Sequence, residues 1–137
     1  MKRPLISILK TVCLVLVLTT SGCNRNPAGD LPALHPVHGM VTLNGQPLAG
    51  ASLVFLPESG PSSGAITDAD GKYEAMHRSG AKGAVAGPTK VSITTSAADA
   101  EGNYSPEKLP PRYNEATTLN FTVIEGDNEQ NFELKSK

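Results

Sequence analysis

Tryptophan is absent, and only six aromatic side chains are present: Phe55, Tyr73, Tyr104, Tyr113, Phe121 and Phe132. This excludes a sugar-binding face built on indole rings and leaves a core made mainly of aliphatic groups. Cysteine is nearly absent too. Cys13 and Cys23 both lie near the amino terminus, so no disulfide framework staples the remainder. No apolar run reaches the roughly 20 residues that a membrane-spanning helix needs. Helical periodicity is missing, and 13 glycines with 11 prolines favour many turns over long helices. Clustered positive charge is also scarce. Setting aside Lys2, Arg3 and Lys10 leaves 9 basic residues against 13 acidic ones. That balance argues against a nucleic-acid partner, which requires a basic surface.

What is present begins with an address. Three cationic residues precede an apolar stretch at positions 11–20, short enough for a signal-peptide core. Ser21 and Gly22 are small, as a signal-peptidase site requires, and Cys23 follows. Ser21-Gly22-Cys23 resembles the end of a bacterial lipobox, although Thr20 stands where an aliphatic residue is usual. The resemblance implies cleavage before Cys23 and acylation of its thiol with fatty chains such as palmitate. Two or three such chains, at about 0.8 kcal/mol per buried methylene, anchor a protein stably. Residues 1–22 are thus expected to be a lipoprotein signal peptide. Residues 23–36, punctuated by Pro27, Gly29, Pro32 and Pro36, are expected to be the lipidated cysteine and a flexible tether. The membrane is then a partner through the lipid alone, and the protein belongs to the bacterial cell envelope, on its periplasmic or surface side.

The remainder, residues 37–135, reads as a single β domain. Residues 37–43 alternate with period two, placing Val37, Gly39, Val41 and Leu43 on one face. Asn44-Gly45 is a hairpin signal because both residues tolerate positive φ. Residues 51–56 are apolar on both faces, which predicts an inner strand. Residues 65–67 and 72–76 flank a turn at Asp68-Ala69-Asp70-Gly71. Residues 90–95, 119–123 and 131–134 alternate again. Residues 97–115 show no period, and loops of that length are often functional. About seven short strands, Gly/Pro turns and no convincing helix predict an all-β fold. The expected form is a seven-stranded antiparallel β-sandwich.

Val37-x-Gly39-x-Val41-x-Leu43-Asn44-Gly45-x-Pro47-Leu48-x-Gly50-Ala51-x-Leu53-x-Phe55 resembles the opening of the carboxypeptidase regulatory-like domain. Thr67-Asp68-x-Asp70-Gly71-x-Tyr73 is similar to its second signature. Gly83-Ala84-Val85-x-Gly87-x-x-Lys90-Val91 is similar to the loop and strand that follow. Leu109-Pro110-Pro111-x-Tyr113-Asn114 and Asn131-Phe132-x-Leu134 resemble small bacterial lipoproteins carrying one such domain. The resemblance implies a transthyretin-like (prealbumin-like) sandwich. It implies no chemistry, since relatives serve as stalk, adhesion and accessory modules.

The side chains point the same way. There is no Gly-x-Ser-x-Gly elbow, and most carboxylates sit in turns, so no enzyme, catalytic residue or cofactor is expected. His35 and His38 flank Pro36, which prevents the helix that would align them as ligands, and no metal is expected. Asp68-x-Asp70-Gly71 has the wrong spacing for a calcium loop. The function expected is structural or protein-interacting and non-enzymatic, with an envelope protein as partner. The alternative is a carbohydrate-binding surface lipoprotein using the 97–115 loop. Tyr104, Arg112 and Tyr113 are the candidate contacts for either partner.

Overall fold

The computed structural model describes residues 32–137. The expected signal peptide, Cys23 and most of the tether lie outside the described residues. The described part is all-β, with open sheets, no α-helix and one turn of 3-10 helix at Pro111–Tyr113. Twelve short strands replace the seven expected. They are β1 (Leu34–His35), β2 (Val37–Leu43), β3 (Gln46–Pro47), β4 (Ser52–Pro57), β5 (Ser63–Ile66) and β6 (Lys72–Glu74). Then follow β7 (Met76–His77), β8 (Ala84–Val85), β9 (Gly87–Thr94), β10 (Leu119–Val123), β11 (Asn128–Glu129) and β12 (Phe132–Leu134).

One sheet has the order β10-β9-β4-β5-β7, all antiparallel. As expected, β4 is an inner strand. Leu53 and Phe55 are buried, while Val54 and Leu56 lie on an outer face left partly open. The second sheet is built around β2. Its amino-terminal half lies between β11 and β6, and its carboxy-terminal half between β12 and β3. The pairings with β11 and β12 are parallel, which departs from the purely antiparallel expectation. The reason is connectivity. The chain reaches β11 and β12 from β10 in the other sheet, so no hairpin fixes their direction.

Other departures have similar causes. Residues 72–76 divide between the sheets: β6 bonds to β2, and β7 bonds to β5. At the crossing, buried Ala75 donates its N–H to the Val37 carbonyl, 2.8 Å, and accepts from the Gly83 N–H, 2.8 Å. Leu34 and His35, within the expected tether, pair with β8. The Asn44-Gly45 turn forms as expected, with φ of 53° and 83°. The buried Thr67 hydroxyl accepts from the Ala51 N–H, 2.8 Å, and donates to the Leu48 carbonyl, 2.6 Å. This satisfies two backbone groups that the turn into β4 leaves without a ladder partner.

Four of the six aromatic rings close a cycle between the sheets. Phe55 and Phe121 come from the first sheet, Tyr73 and Phe132 from the second. Their centroids are 5.8 Å (Phe55–Tyr73), 6.1 Å (Tyr73–Phe132), 6.5 Å (Phe132–Phe121) and 6.1 Å (Phe121–Phe55) apart. These lie within the range of favourable aromatic pairing. Leu53, Val91, Ile93, Val37, Val41 and Leu134 fill the space around the cycle.

Candidate functional site

The segment from 97 to 115, aperiodic in sequence, is internally bonded. Its base is held by one carboxylate. Glu107 Oε1 accepts from the Thr95 N–H (3.0 Å), the Thr95 hydroxyl (2.6 Å) and the N–H groups of Lys108 and Leu109 (2.9 Å each). Its Oε2 accepts from the Thr94 hydroxyl. Partial burial pushes the Glu107 pKa up. The Thr94 and Thr95 hydroxyls and the Leu109 and Thr95 amides more than reverse this, bringing it from 4.5 down to about 2. These donors all favour the ionised form.

A carboxylate whose pKa falls on folding contributes stability that is present above its unfolded pKa and lost as pH falls through the folded one. For Glu107 that window runs from 4.5 down to about 2. Glu107 is largely solvent-exposed, so the effect is local to the loop rather than global. Protection of the Thr95 and Leu109 amides from hydrogen exchange is expected to fall at least about tenfold between roughly pH 6 and pH 3. Glu107→Gln removes the pH dependence and starts from low protection; unchanged protection in that variant contradicts the assignment.

The tip of the loop is a second fixed turn. The Asp99 side chain accepts from the N–H groups of Glu101 (3.0 Å) and Asn103 (2.8 Å). The Asp99 N–H donates to the Asn103 carbonyl (2.9 Å), and the Gly102 N–H returns to the Asp99 carbonyl (3.1 Å). The Asn103 amide leads the interactions that lower the Asp99 pKa. The same bonds occur at Asp68, which accepts from Asp70 and Lys72 (2.9 Å each) while its own N–H reaches the Lys72 carbonyl (2.8 Å). Gly71 and Gly102 take φ of 73° and 84°. The two sequences correspond as well: Asp68-Ala69-Asp70-Gly71-Lys72-Tyr73 and Asp99-Ala100-Glu101-Gly102-Asn103-Tyr104. The turn is one module used twice, and this repeat is the sequence signal that identifies the 99–104 turn.

The two copies differ in where the tyrosine goes. Tyr73 is buried, and its hydroxyl donates to the Gln130 carbonyl at 2.6 Å. Burial pushes its pKa up. Tyr104 is bridged through its backbone to Ala98 and is 74% exposed. The other two candidate contacts are turned inward or fastened down. Tyr113 is buried, and its hydroxyl accepts from the Lys135 N–H at 3.0 Å. Arg112 lies over the Tyr113 ring, 4.8 Å from its centroid, and donates to the carbonyls of Lys135 (2.7 Å) and Lys137 (3.0 Å). Arg112 and Tyr113 therefore hold the carboxy-terminal strand in place, and Tyr104 alone is displayed.

A groove of about 480 Å³ crosses the outer face of β2. Met40 supplies apolar surface, and His38, Lys72, Glu129 and Glu133 supply charge of both signs. His38 Nε2 meets the Asp127 carboxylate at 2.9 Å, and that hydrogen bond raises the His38 pKa. His35 Nδ1 accepts from the Gly126 N–H at 3.0 Å. Both histidines thus hold the turn before β11. His77 Nδ1 accepts from the Ser79 N–H at 3.2 Å, and its buried Nε2 has no partner among the described residues. Among the described residues no group of three His, Cys, Asp or Glu side chains is placed to hold a metal ion. None of their helices is long and apolar enough to cross a membrane.

No family model matches the chain, and no curated protein matches it. The solved structures that it matches in part include two of known source. A DUF3823 family protein from Parabacteroides merdae is 16% identical over 76% of this chain and 47% of its own, with a TM-score of 0.42. A 9R-lipoxygenase from Cyanothece is 15% identical over 74% of this chain and 16% of its own, with a TM-score of 0.36. The chain therefore spans less than half the length of either.

Proposed function

We propose that this is a lipid-anchored envelope protein whose single transthyretin-like β domain works by contact with another protein, without turnover. The observation that carries this reading is Tyr104. A turn that elsewhere drives its tyrosine into the core here holds one in solvent, on a loop braced by Asp99 and Glu107. Ordering such a loop in advance lowers the entropy cost of binding, and tyrosine supplies a large amphipathic contact. Cys23, acylated, holds the domain at the membrane.

The sandwich assignment is supported by the four-ring core between two sheets and by the work each signature residue does. Thr67 closes the turn into β4, Asp68 organises the next turn, and Tyr73 ties the two sheets. A carbohydrate partner is the second reading, favoured by the exposed Tyr104 ring. It is the weaker one, because Tyr113 and Arg112 are already engaged and a single ring makes a small platform.

Tyr104→Ala is expected to leave the melting temperature within about 2 °C of wild type, as exposed substitutions do, while lowering partner affinity at least about tenfold. A photocrosslinker at position 104 in the envelope should join the domain to a discrete protein band. Crosslinking to polysaccharide, with glycan-array binding lost in Tyr104→Ala, favours the second reading. Crosslinking to neither sinks both. Metabolic palmitate labelling that is equal in wild type and Cys23→Ala rules out the anchor.

A further inference from the structure

Sheet edges are liabilities, and among the described residues all but one are blunted. The β7 edge is two residues long and is covered by its own loop, with Met76 bridged to Lys82 and the His77 N–H bonded to the Ala81 carbonyl. The β3 edge is two residues and contains Pro47. The β6 edge carries Lys72 and Glu74, and Glu74 pairs with Lys82 at 2.9 Å. The β11 edge is closed by the Asn128 amide, which donates to the carbonyls of Pro36, Ile124 and Gly126. The β12 edge carries Glu133 and is followed at once by the carbonyls that Arg112 covers. The β1–β8 ribbon is two residues long.

The β10 edge has none of these devices. Its five residues, Leu119-Asn120-Phe121-Thr122-Val123, include no charge and no proline, and positions 116–124 are uncharged throughout. Its only ladder partner among the described residues is β9. The direction of its free groups follows from the register. The Pro88 carbonyl accepts from the Glu58 N–H on the β4 side, and Pro88 stands opposite Thr122. In an antiparallel ladder such positions alternate. Asn120 and Thr122 therefore point their N–H and C=O groups away from β9, and no other backbone group among the described residues bonds them. Leu119 and Phe121 pack against the core yet remain only half-buried at this edge.

We propose that this edge pairs with the same edge of a second copy of the chain. In an antiparallel pair about a two-fold axis at Phe121, Asn120 of one strand exchanges backbone hydrogen bonds with Thr122 of the other. The contact is self-complementary, as an isologous interface must be. Two-fold pairing also favours an uncharged strand, because a charge at 121 would stand directly opposite its own copy and one at 120 or 122 would meet its copy diagonally, and like charges at such range are destabilising. The uncharged run at 116–124 meets that demand along the whole length of the open edge. The pairing joins two five-stranded sheets into one and covers Leu119 and Phe121. It is independent of Tyr104 and of any partner bound there.

Sedimentation equilibrium of the full chain in detergent, across roughly 1 µM to 1 mM, tests the proposal. Wild type is expected to pass from monomer to dimer in that range. Thr122→Pro removes an N–H that β9 does not use and puts a ring in the seam. Thr122→Lys sets two ammonium groups near the axis. Each is expected to weaken dimerisation at least about tenfold, with circular dichroism unchanged. Should Thr122→Pro lose its fold, Thr122→Lys decides. A wild type that stays monomeric overturns the proposal, as does one that is monomeric but captures a foreign strand at this edge. So does dimerisation equal to wild type in the folded variants, which places the association elsewhere, in the lipid-bearing segment or another face.

Discussion

Gly39→Ala is expected to cost about 4 kcal/mol or more of stability, enough to leave little folded protein if the domain has ordinary marginal stability. The backbone at Gly39 is ordinary; space is the constraint. A Cβ built there lies 1.9 Å from the Gln130 carbonyl oxygen and 2.7 Å from its carbon. Backbone meets backbone, so no flexible side chain can yield. That carbonyl is the hinge of the second sheet. It accepts from the Tyr73 hydroxyl at 2.6 Å, and the Gln130 N–H donates to the His38 carbonyl at 2.8 Å. The neighbouring Asn131 side chain accepts from the Met40 N–H at 2.8 Å, filling the gap in the β2 ladder between β11 and β12. Moving Gln130 disturbs all three bonds together. Gly45→Ala is the control. Its φ of 83° strains any L-residue, but nothing lies within 4 Å of its Cβ, so its cost is about 1–2 kcal/mol. Urea unfolding of both variants gives the comparison. A Gly39→Ala midpoint matching or exceeding that of Gly45→Ala contradicts the packing assigned to the hinge.

The sequence displays Gly45 more openly than Gly39, and the reason bears on what was legible in it. A hairpin turn is a local event, so Asn44-Gly45 announces itself. So do the period-two strands and the Asp68 turn. The need for Gly39 arises from a segment 91 residues later crossing at close range, which no local pattern records. Parallel pairing of β2 with β11 and β12 was hidden for the same reason. So was the division of residues 72–76 between two sheets. Alternation reports which side chains face inward, not which strand lies alongside. Residues 97–115 show no period for a different reason: their order comes from side chains bonding backbone amides at Asp99 and Glu107, and these leave no hydrophobic period. The repeat of Asp-Ala-acid-Gly-x-Tyr was the one visible trace. Tyr104, Arg112 and Tyr113 share one aperiodic segment of the sequence. The fold separates them, because Tyr113 and Arg112 meet the end of the chain while Tyr104 sits on the far side of the Glu107 clamp.

Phe55→Ala is expected to destabilise the domain by about 3–5 kcal/mol, the usual cost of removing a fully buried phenylalanine. Phe55 is 0% exposed and sits on the central strand of the first sheet, where it touches Tyr73 of the opposite sheet and Phe121 of its own. Losing it opens the aromatic cycle at the joint between the sheets, and the rigid ladders of β5 and β9 on either side limit collapse into the cavity. Phe121→Ala removes a ring of the same size from the half-buried, uncovered edge. Its cost in the monomer is expected to be smaller by about 1 kcal/mol or more. The double variant is expected to cost less than the sum of the two, because each single change already loses the Phe55–Phe121 contact, a pair term of about 0.5–1.5 kcal/mol. With no tryptophan to report unfolding, circular dichroism or tyrosine fluorescence in urea follows the transition, at a protein concentration low enough to keep β10 unpaired. If Phe121→Ala proves as costly as Phe55→Ala under those conditions, then the β10 edge is already covered in the monomer. That result also removes the reason for placing a second copy there. If it becomes as costly only at high concentration, the extra loss belongs to the dimer, and the aromatic core and the open edge are parts of one continuous contact.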